Sequence, residues 1–238
     1  MIKAIVTGIE GATSSLSFVK DTLFPYLRER LPDFVRKYAD NANIRALLED
    51  IRITAGQSTI NIDRLIRQLL DWLDQDKKIT SLTTLQHLIW QAGYQTGDLR
   101  GHVYNDVAQM LRYWHELGIS AYVYSSIPGT AQRLLFTYST AGNLTSLFSG
   151  YFDMHIGAKQ FTGSYISISK HINIAPSKLL YLSKRAAELD AAHAAGWNTI
   201  QLMRPGAARR SRTHTAVGDF TQIDLERWQA AELDGVNG

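Results

Sequence analysis

The sequence predicts an α/β protein, with a parallel sheet core and a helical insertion after the first strand. Three observations lead there. Residues 2–9 (IKAIVTGI) form a short β-branched run that stops at a glycine-rich turn, as a strand covered on both faces does. Similar runs recur at 120–126 (SAYVYSS), 151–156, 179–183 (LLYLS) and 199–203 (TIQLM), each followed or preceded by a stretch of helical periodicity. Between about 20 and 106 that rhythm breaks, and only helical spacing remains.

In chain order, the first strand gives way to helical segments at 21–38, 59–76 and 83–92. Ile62, Leu65, Ile66, Leu69, Leu70 and Leu73 fall on one face, a stripe that reads as core packing. The second strand at 120–126 follows a helix at 107–117 (VAQMLRYWHEL). Helices at 163–172 and 186–195 (AAELDAAHAA) then alternate with the last three strands, as right-handed βαβ crossovers require. The expected organisation is a core over residues 1–19 and 107–238, with a helical cap over 20–106.

Composition narrows the function classes. Apolar residues make up 45% of the chain and charged residues 20%, ordinary for a globular protein. The 25 Lys+Arg against 22 Asp+Glu leave a formal charge of +3, too small to argue for nucleic acid. There is no cysteine, which excludes disulfides, a thiolate nucleophile and Cys-ligated metal. The first apolar run is too short for a signal-peptide core, and no run approaches the ~18 apolar residues of a membrane span. A cytoplasmic, monomeric protein with neither membrane nor nucleic-acid partners is expected. Residues 204–214 (RPGAARRSRTH) carry four arginines and a histidine. They read either as a phosphate or nucleic-acid patch or as a solvated loop, and the absence of interleaved aromatics favours the loop. The seven histidines are scattered without metal-ligand spacing; His102 and His155 are candidates for lining a cleft or for structural roles.

Several motifs together carry a resemblance. They are TGIEGAT at the first strand's end, YVYSS at the second, GAKQ at 157–160 and YLSKRAAELDAA at 181–192. LFPY at 23–26, GHVY at 101–104, STAGNL at 139–144 and LFSGYFD at 147–153 add to the set. The chain resembles the enolase-phosphatase (acireductone synthase) branch of the haloacid-dehalogenase-like superfamily from Met1 to about Leu225. The resemblance implies a Rossmannoid parallel-sheet core with an inserted helical cap. It also implies Mg²⁺-dependent enolisation and dephosphorylation of 2,3-diketo-5-methylthiopentyl-1-phosphate, a step of methionine salvage. In that chemistry an Asp attacks phosphorus, a second carboxylate helps hold Mg²⁺, and a Lys balances the phosphate charge.

The site departs from the family pattern where the chemistry is most demanding. The family's D-I-E-G-T-T reads Gly8-Ile9-Glu10-Gly11-Ala12-Thr13, so the nucleophile position is a glycine, with no side chain to attack or to ligate. Glu10 keeps its position, which the resemblance assigns to a backbone-carbonyl metal ligand. At the fourth strand the family's L-S-D reads Leu182-Ser183-Lys184, and an ammonium has no lone pair for Mg²⁺. Glu188 and Asp190 are expected to point away from the site, capping or solvating their helix.

Ser125, Ser126 and Lys159 are retained and expected to contact phosphate; Ile127-Pro128 follows the serines and removes a backbone donor. Phe161, Gly163 and Met154 also depart from the pattern. The chain is therefore expected to be inactive and to use no cofactor, with a phosphorylated small molecule as its partner. Two alternatives stay open. One is a working enolase-phosphatase; the other is a repurposed phosphate-binding or interaction protein using residues 209–212 or the cap. Aspartate at both positions 8 and 184 would bring the formal charge to zero, so the surplus reads as the mark of a lost metal site.

Overall fold

A computed structural model of the chain describes residues 1–57, 59–206 and 209–226. The chain divides into two compact units, Met1–Leu16 with Arg100–Gly238, and Ser17–Leu99.

The first unit is built on a wholly parallel six-stranded sheet of order β3-β2-β1-β4-β5-β6. The strands are β1 (Ala4–Thr7), β2 (Ser120–Tyr124), β3 (Gly150–Phe152), β4 (Leu179–Ser183), β5 (Asn198–Leu202) and β6 (Thr215–Val217). All residues of β1 and β4 are buried, which is why both read as unbroken apolar runs rather than alternating ones. The chain winds outward from β1 through β2 to β3, then returns to place β4 on the other side of β1. Strand order thus reverses between β1 and β4, and the crevice beyond the carboxyl ends of strands at such a point is where open α/β sheets bind ligands. Register brings the three strand ends level, with Thr7 opposite both Val123 and Leu182.

The sheet is stacked with rings. Tyr165 meets Tyr181 at 5.1 Å and Trp197 at 5.4 Å, both edge-on, and the Trp197 indole N–H donates to Ser169 Oγ at 2.8 Å. Helices α6 (Asn105–Glu116), α7 (Gly129–Thr137), α8 (Thr162–Ile172) and α9 (Ala186–Ala194) complete the unit.

The second unit is all-helical. A short helix α1 (Leu16–Phe18) runs through a π-helical turn (Val19–Leu23) into α2 (Phe24–Tyr38), followed by α3 (Ala42–Thr54), α4 (Ile62–Asp74) and α5 (Thr80–Thr96). Its core includes Leu65, Ile66, Leu69 and Leu73 together with Trp72, with Ile62 and Leu70 half-buried at its margin. The predicted stripe is therefore a packing face.

Three differences from the sequence-based expectation have local causes. The run at 151–156 is strand only to Phe152, because Asp153 takes the His155 N–H at 3.0 Å and turns Met154–Ile156 into a 3-10 helix. The first strand stops at Thr7, where the Ile9 carbonyl collects the amides of Ala12, Thr13 and Ser14 at 2.9–3.1 Å and folds the chain back. The structure also adds β6 and the helices α3 and α7. β6 is a three-residue edge strand with an exposed first residue and no apolar run to mark it.

One glycine in the first unit is sterically obligatory. Gly101 donates its N–H to the Tyr138 carbonyl at 2.9 Å, and a Cβ there would lie 2.2 Å from the Leu135 carbonyl oxygen. Backbone cannot rotate away as a side chain can. Gly101→Ala is expected to lower unfolding stability by at least about 2 kcal/mol, read as a drop in the urea midpoint. An unchanged midpoint would show that the α7 end yields freely.

Candidate functional site

A pocket of about 200 Å³ lies at the carboxyl ends of the central strands, within the first unit. Gly8, Ile9, Glu10 and Ala12 enter it from the turn after β1, and Ser125 and Ser126 from the end of β2. Met154, Lys159 and Gln160 come from the segment after β3; Ser183, Lys184, Arg185 and Glu188 come from β4 and the head of α9. Parallel register explains the convergence, since each strand delivers its next residues to the same edge. The structure thus brings together all six residues singled out at positions 8, 10, 125, 126, 159 and 184.

At the β1 turn, Gly8 is held by its N–H to the Leu182 carbonyl at 3.0 Å. A Cβ on Gly8 would meet only Ala12 Cβ at 3.8 Å and the Leu182 oxygen at 3.9 Å, ordinary van der Waals contacts. Gly11, at φ +74°, is different. A Cβ there would fall 2.5 Å from Lys184 Cδ, so the lysine stem lies directly across the glycine. Lys184 is half-buried. Burial is the largest influence on its ammonium and draws its pKa below the usual lysine value; Glu10 opposes the shift, and Arg185 adds to it.

Ser125 Oγ accepts the Ile127 N–H at 3.2 Å, which leaves the hydroxyl proton to donate elsewhere. Pro128 forms the N-cap of α7, and the Gly129 amide that follows is taken by Asp153 Oδ2 at 3.0 Å. Burial of Asp153 works against its charge, yet the hydrogen bonds from His155 and Gly129 hold its carboxyl below the usual range. The loop after β2 therefore presents fewer free amides than its length offers.

Glu188 corrects the sequence reading. Spacing predicts that it faces away, but it is 2% exposed and turned into the pocket. Both carboxylate oxygens lie 3.0 Å from Lys159 Nζ. One of them also accepts from Ser183 Oγ at 2.7 Å and from the Tyr181 hydroxyl at 3.1 Å, while Arg185 Nε stands 3.8 Å from the other. The reason is local: α9 starts at Ala186, so Glu188 sits in its first turn, where the side chain reaches back over the strand end and the helix dipole favours an anion. Lys159 is accordingly not a solvated loop lysine. Asp190 does face away, pairing with His214 Nε2 at 2.8 Å.

The remaining candidates lie outside the pocket. His155 is 94% exposed and bonded to Asp153 at 2.7 Å. His102 accepts the Ser15 N–H at its Nδ1 at 3.1 Å, and burial lowers its pKa. Residues 204–214 are not simply a solvated loop. Arg204 is buried, forms a double hydrogen bond to Asp106 at 2.9 and 2.5 Å, and lies 4.1 Å over the Tyr104 ring. His214 is buried between Thr199 and Asp190. Arg209, Arg210 and Arg212 are exposed, and residues 207–208 of this segment lie outside the described residues. No described helix is long and apolar enough to cross a membrane.

The donors do not suit Mg²⁺, which demands six oxygens in near-octahedral array. Gly8 offers no side chain and Lys184 only N–H donors. Glu188 is spent on Lys159, Ser183 and Tyr181. Among the described residues no group of three or more His, Asp or Glu is placed to hold a metal ion.

A doubly wound parallel sheet, an all-helical unit inserted after β1 and a polar pocket over the β1–β4 switch point define a Rossmannoid protein of the haloacid-dehalogenase type. CbbY from Rhodobacter sphaeroides in complex with phosphate shares that fold, at 14% identity and a TM-score of 0.59 over 93% of this chain and 96% of its own. No protein-family model matches the chain. Individual relatives do. The enolase-phosphatase E1 of Methylococcus capsulatus is 52% identical over 226 residues, 95% of this chain and 99% of its own. That of Serratia proteamaculans is 51% identical over 225 residues, 94% of this chain and 98% of its own. The UTR4 protein of Saccharomyces cerevisiae superposes with a TM-score of 0.82 at 30% identity, covering 94% of this chain and all of its own. The chain belongs to the enolase-phosphatase E1 family.

Proposed function

We propose that this chain is an enolase-phosphatase scaffold that has lost the family's Mg²⁺ chemistry and retains a pocket for a phosphorylated small molecule. One observation carries the reading. Where β1 and β4 end side by side, the pocket presents a glycine at position 8 and an ammonium at position 184. By resemblance these are the positions of the nucleophilic and metal-binding aspartates. Glycine cannot form a phospho-enzyme bond, and an ammonium repels the cation that would stabilise charge on phosphate or enolate oxygens. Both half-reactions of the family, enolisation of the diketo-phosphate and release of its phosphate, depend on that metal.

Neither lost function has a substitute among the residues that line the pocket. Glu10 lies two residues past the nucleophile position, and Glu188 is committed to its hydrogen bonds. The test is phosphate release from the family's diketo-phosphate by the full chain, with and without Mg²⁺. No release above the uncatalysed background is expected in either condition. Turnover of about 1 per second, an ordinary enzymatic rate, would overturn the reading.

A further inference from the structure

We propose that Lys184 makes the pocket a metal-independent site for the phosphate group of a small monoester. The proposal rests on the reading that the metal site is lost. Three cations (Lys159, Lys184, Arg185) and two carboxylates (Glu10, Glu188) line the pocket. Glu188 is committed to Lys159, with both oxygens at 3.0 Å, and its remaining reach goes to Arg185. Lys184 has no carboxylate within ion-pair distance among the described residues, although Glu10 lies close enough to favour its charge. It is not a free surface lysine either. Its stem is laid across Gly11, where a Cβ would fall 2.5 Å from Lys184 Cδ, and the side chain lines the pocket.

A half-buried cation without an ion-pair partner carries an unmet electrostatic demand, which an anion satisfies more fully than water does. The pocket also offers donors suited to a tetrahedral oxyanion. The Ser125 hydroxyl already accepts from Ile127, so its proton is available, and Ser126 is exposed beside it. An ammonium with three N–H donors can meet two or three phosphate oxygens at once. Its single charge thereby does part of what a divalent cation would do, without oxygen ligands from the protein. The Glu10 carboxylate disfavours an anion that fills the whole pocket, which suits a phosphate carried on a neutral organic group.

Titration calorimetry of the full chain with inorganic phosphate and with phenyl phosphate, in EDTA and in Mg²⁺, tests this. Millimolar or tighter binding is expected in EDTA, changed by no more than about twofold by Mg²⁺. Lys184→Met should weaken it by about tenfold or more, whereas Lys184→Arg, which keeps the charge, should stay within about threefold of the parent. Undiminished binding by Lys184→Met would overturn the proposal. So would absence of heat in EDTA and in Mg²⁺ alike, with no phosphate release, and that result would leave the lost-metal reading standing. Binding seen only with Mg²⁺, or accompanied by turnover, would overturn both. Insensitivity to Mg²⁺ is read on the unmodified chain, so the test survives even if a variant fails to fold.

Discussion

Magnesium-dependent phosphate release is expected to appear in the double variant Gly8→Asp with Lys184→Asp, and in neither single variant. The backbone is ready for the first change. Gly8 has no left-handed φ, and a Cβ there meets nothing nearer than 3.8 Å, so the β1 turn accommodates the Cβ that an aspartate brings. The second change removes the ammonium and sets a carboxylate at the adjoining strand end. In Gly8→Asp alone, the new carboxylate would pair with Lys184 instead of a metal. In Lys184→Asp alone, the new carboxylate would have no nucleophile to serve. Groups that act as a unit are grossly non-additive, and losing such a unit costs on the order of 10⁶ in rate. A gain of about 10³ or more over the parent chain is therefore a conservative expectation for the pair. The readout is phosphate release from the diketo-phosphate across a Mg²⁺ titration. A folded double variant that stays silent would show that the loss extends to Ala12, Pro128 or Phe161, and that positions 8 and 184 do not account for it by themselves.

Glu188→Ala is expected to be the most destabilising single substitution near the pocket, by about 3–5 kcal/mol, the range for removing one member of a buried ion pair. Four groups converge on that carboxylate: Lys159, Ser183, Tyr181 and Arg185. Its loss strands the Lys159 ammonium, whose side chain is 18% exposed, and leaves two hydroxyls seeking acceptors. At about 2–4 °C per kcal/mol for a chain of this length, the melting temperature should fall by roughly 6–20 °C. Glu188→Gln keeps an acceptor for the hydroxyls and should cost less. Adding Lys159→Met to Glu188→Ala should recover part of the loss, because the isolated charge is then gone. A double variant no more stable than Glu188→Ala alone would argue that the hydroxyl network, not the ion pair, carries the energy.

Much of the sheet is legible in the sequence because parallel strands are buried on both faces and announce themselves as β-branched runs. β4 can be read to the residue at Leu179–Ser183 for that reason. β6 escapes because an edge strand of three partly exposed residues has no such pattern. Helix α3 escapes because its apolar positions (Ile44, Leu48, Ile51) are diluted by charged residues. The Arg204–Asp106 pair joins positions 98 residues apart, a separation at which local pattern carries no information.

The sequence by itself determined which chemical groups the strand ends deliver: no side chain at Gly8, a carboxylate at Glu10, hydroxyls at Ser125 and Ser126, and ammonium groups at Lys159 and Lys184. Only the tertiary structure decided which of those charges remain uncancelled. Glu188, which spacing alone places on the far side of its helix, turns inward and takes Lys159. Among the described pocket residues, the ammonium left without an ion-pair partner is then that of Lys184. Coulombic pairing depends on distance and burial through space, and neither quantity is written along the chain.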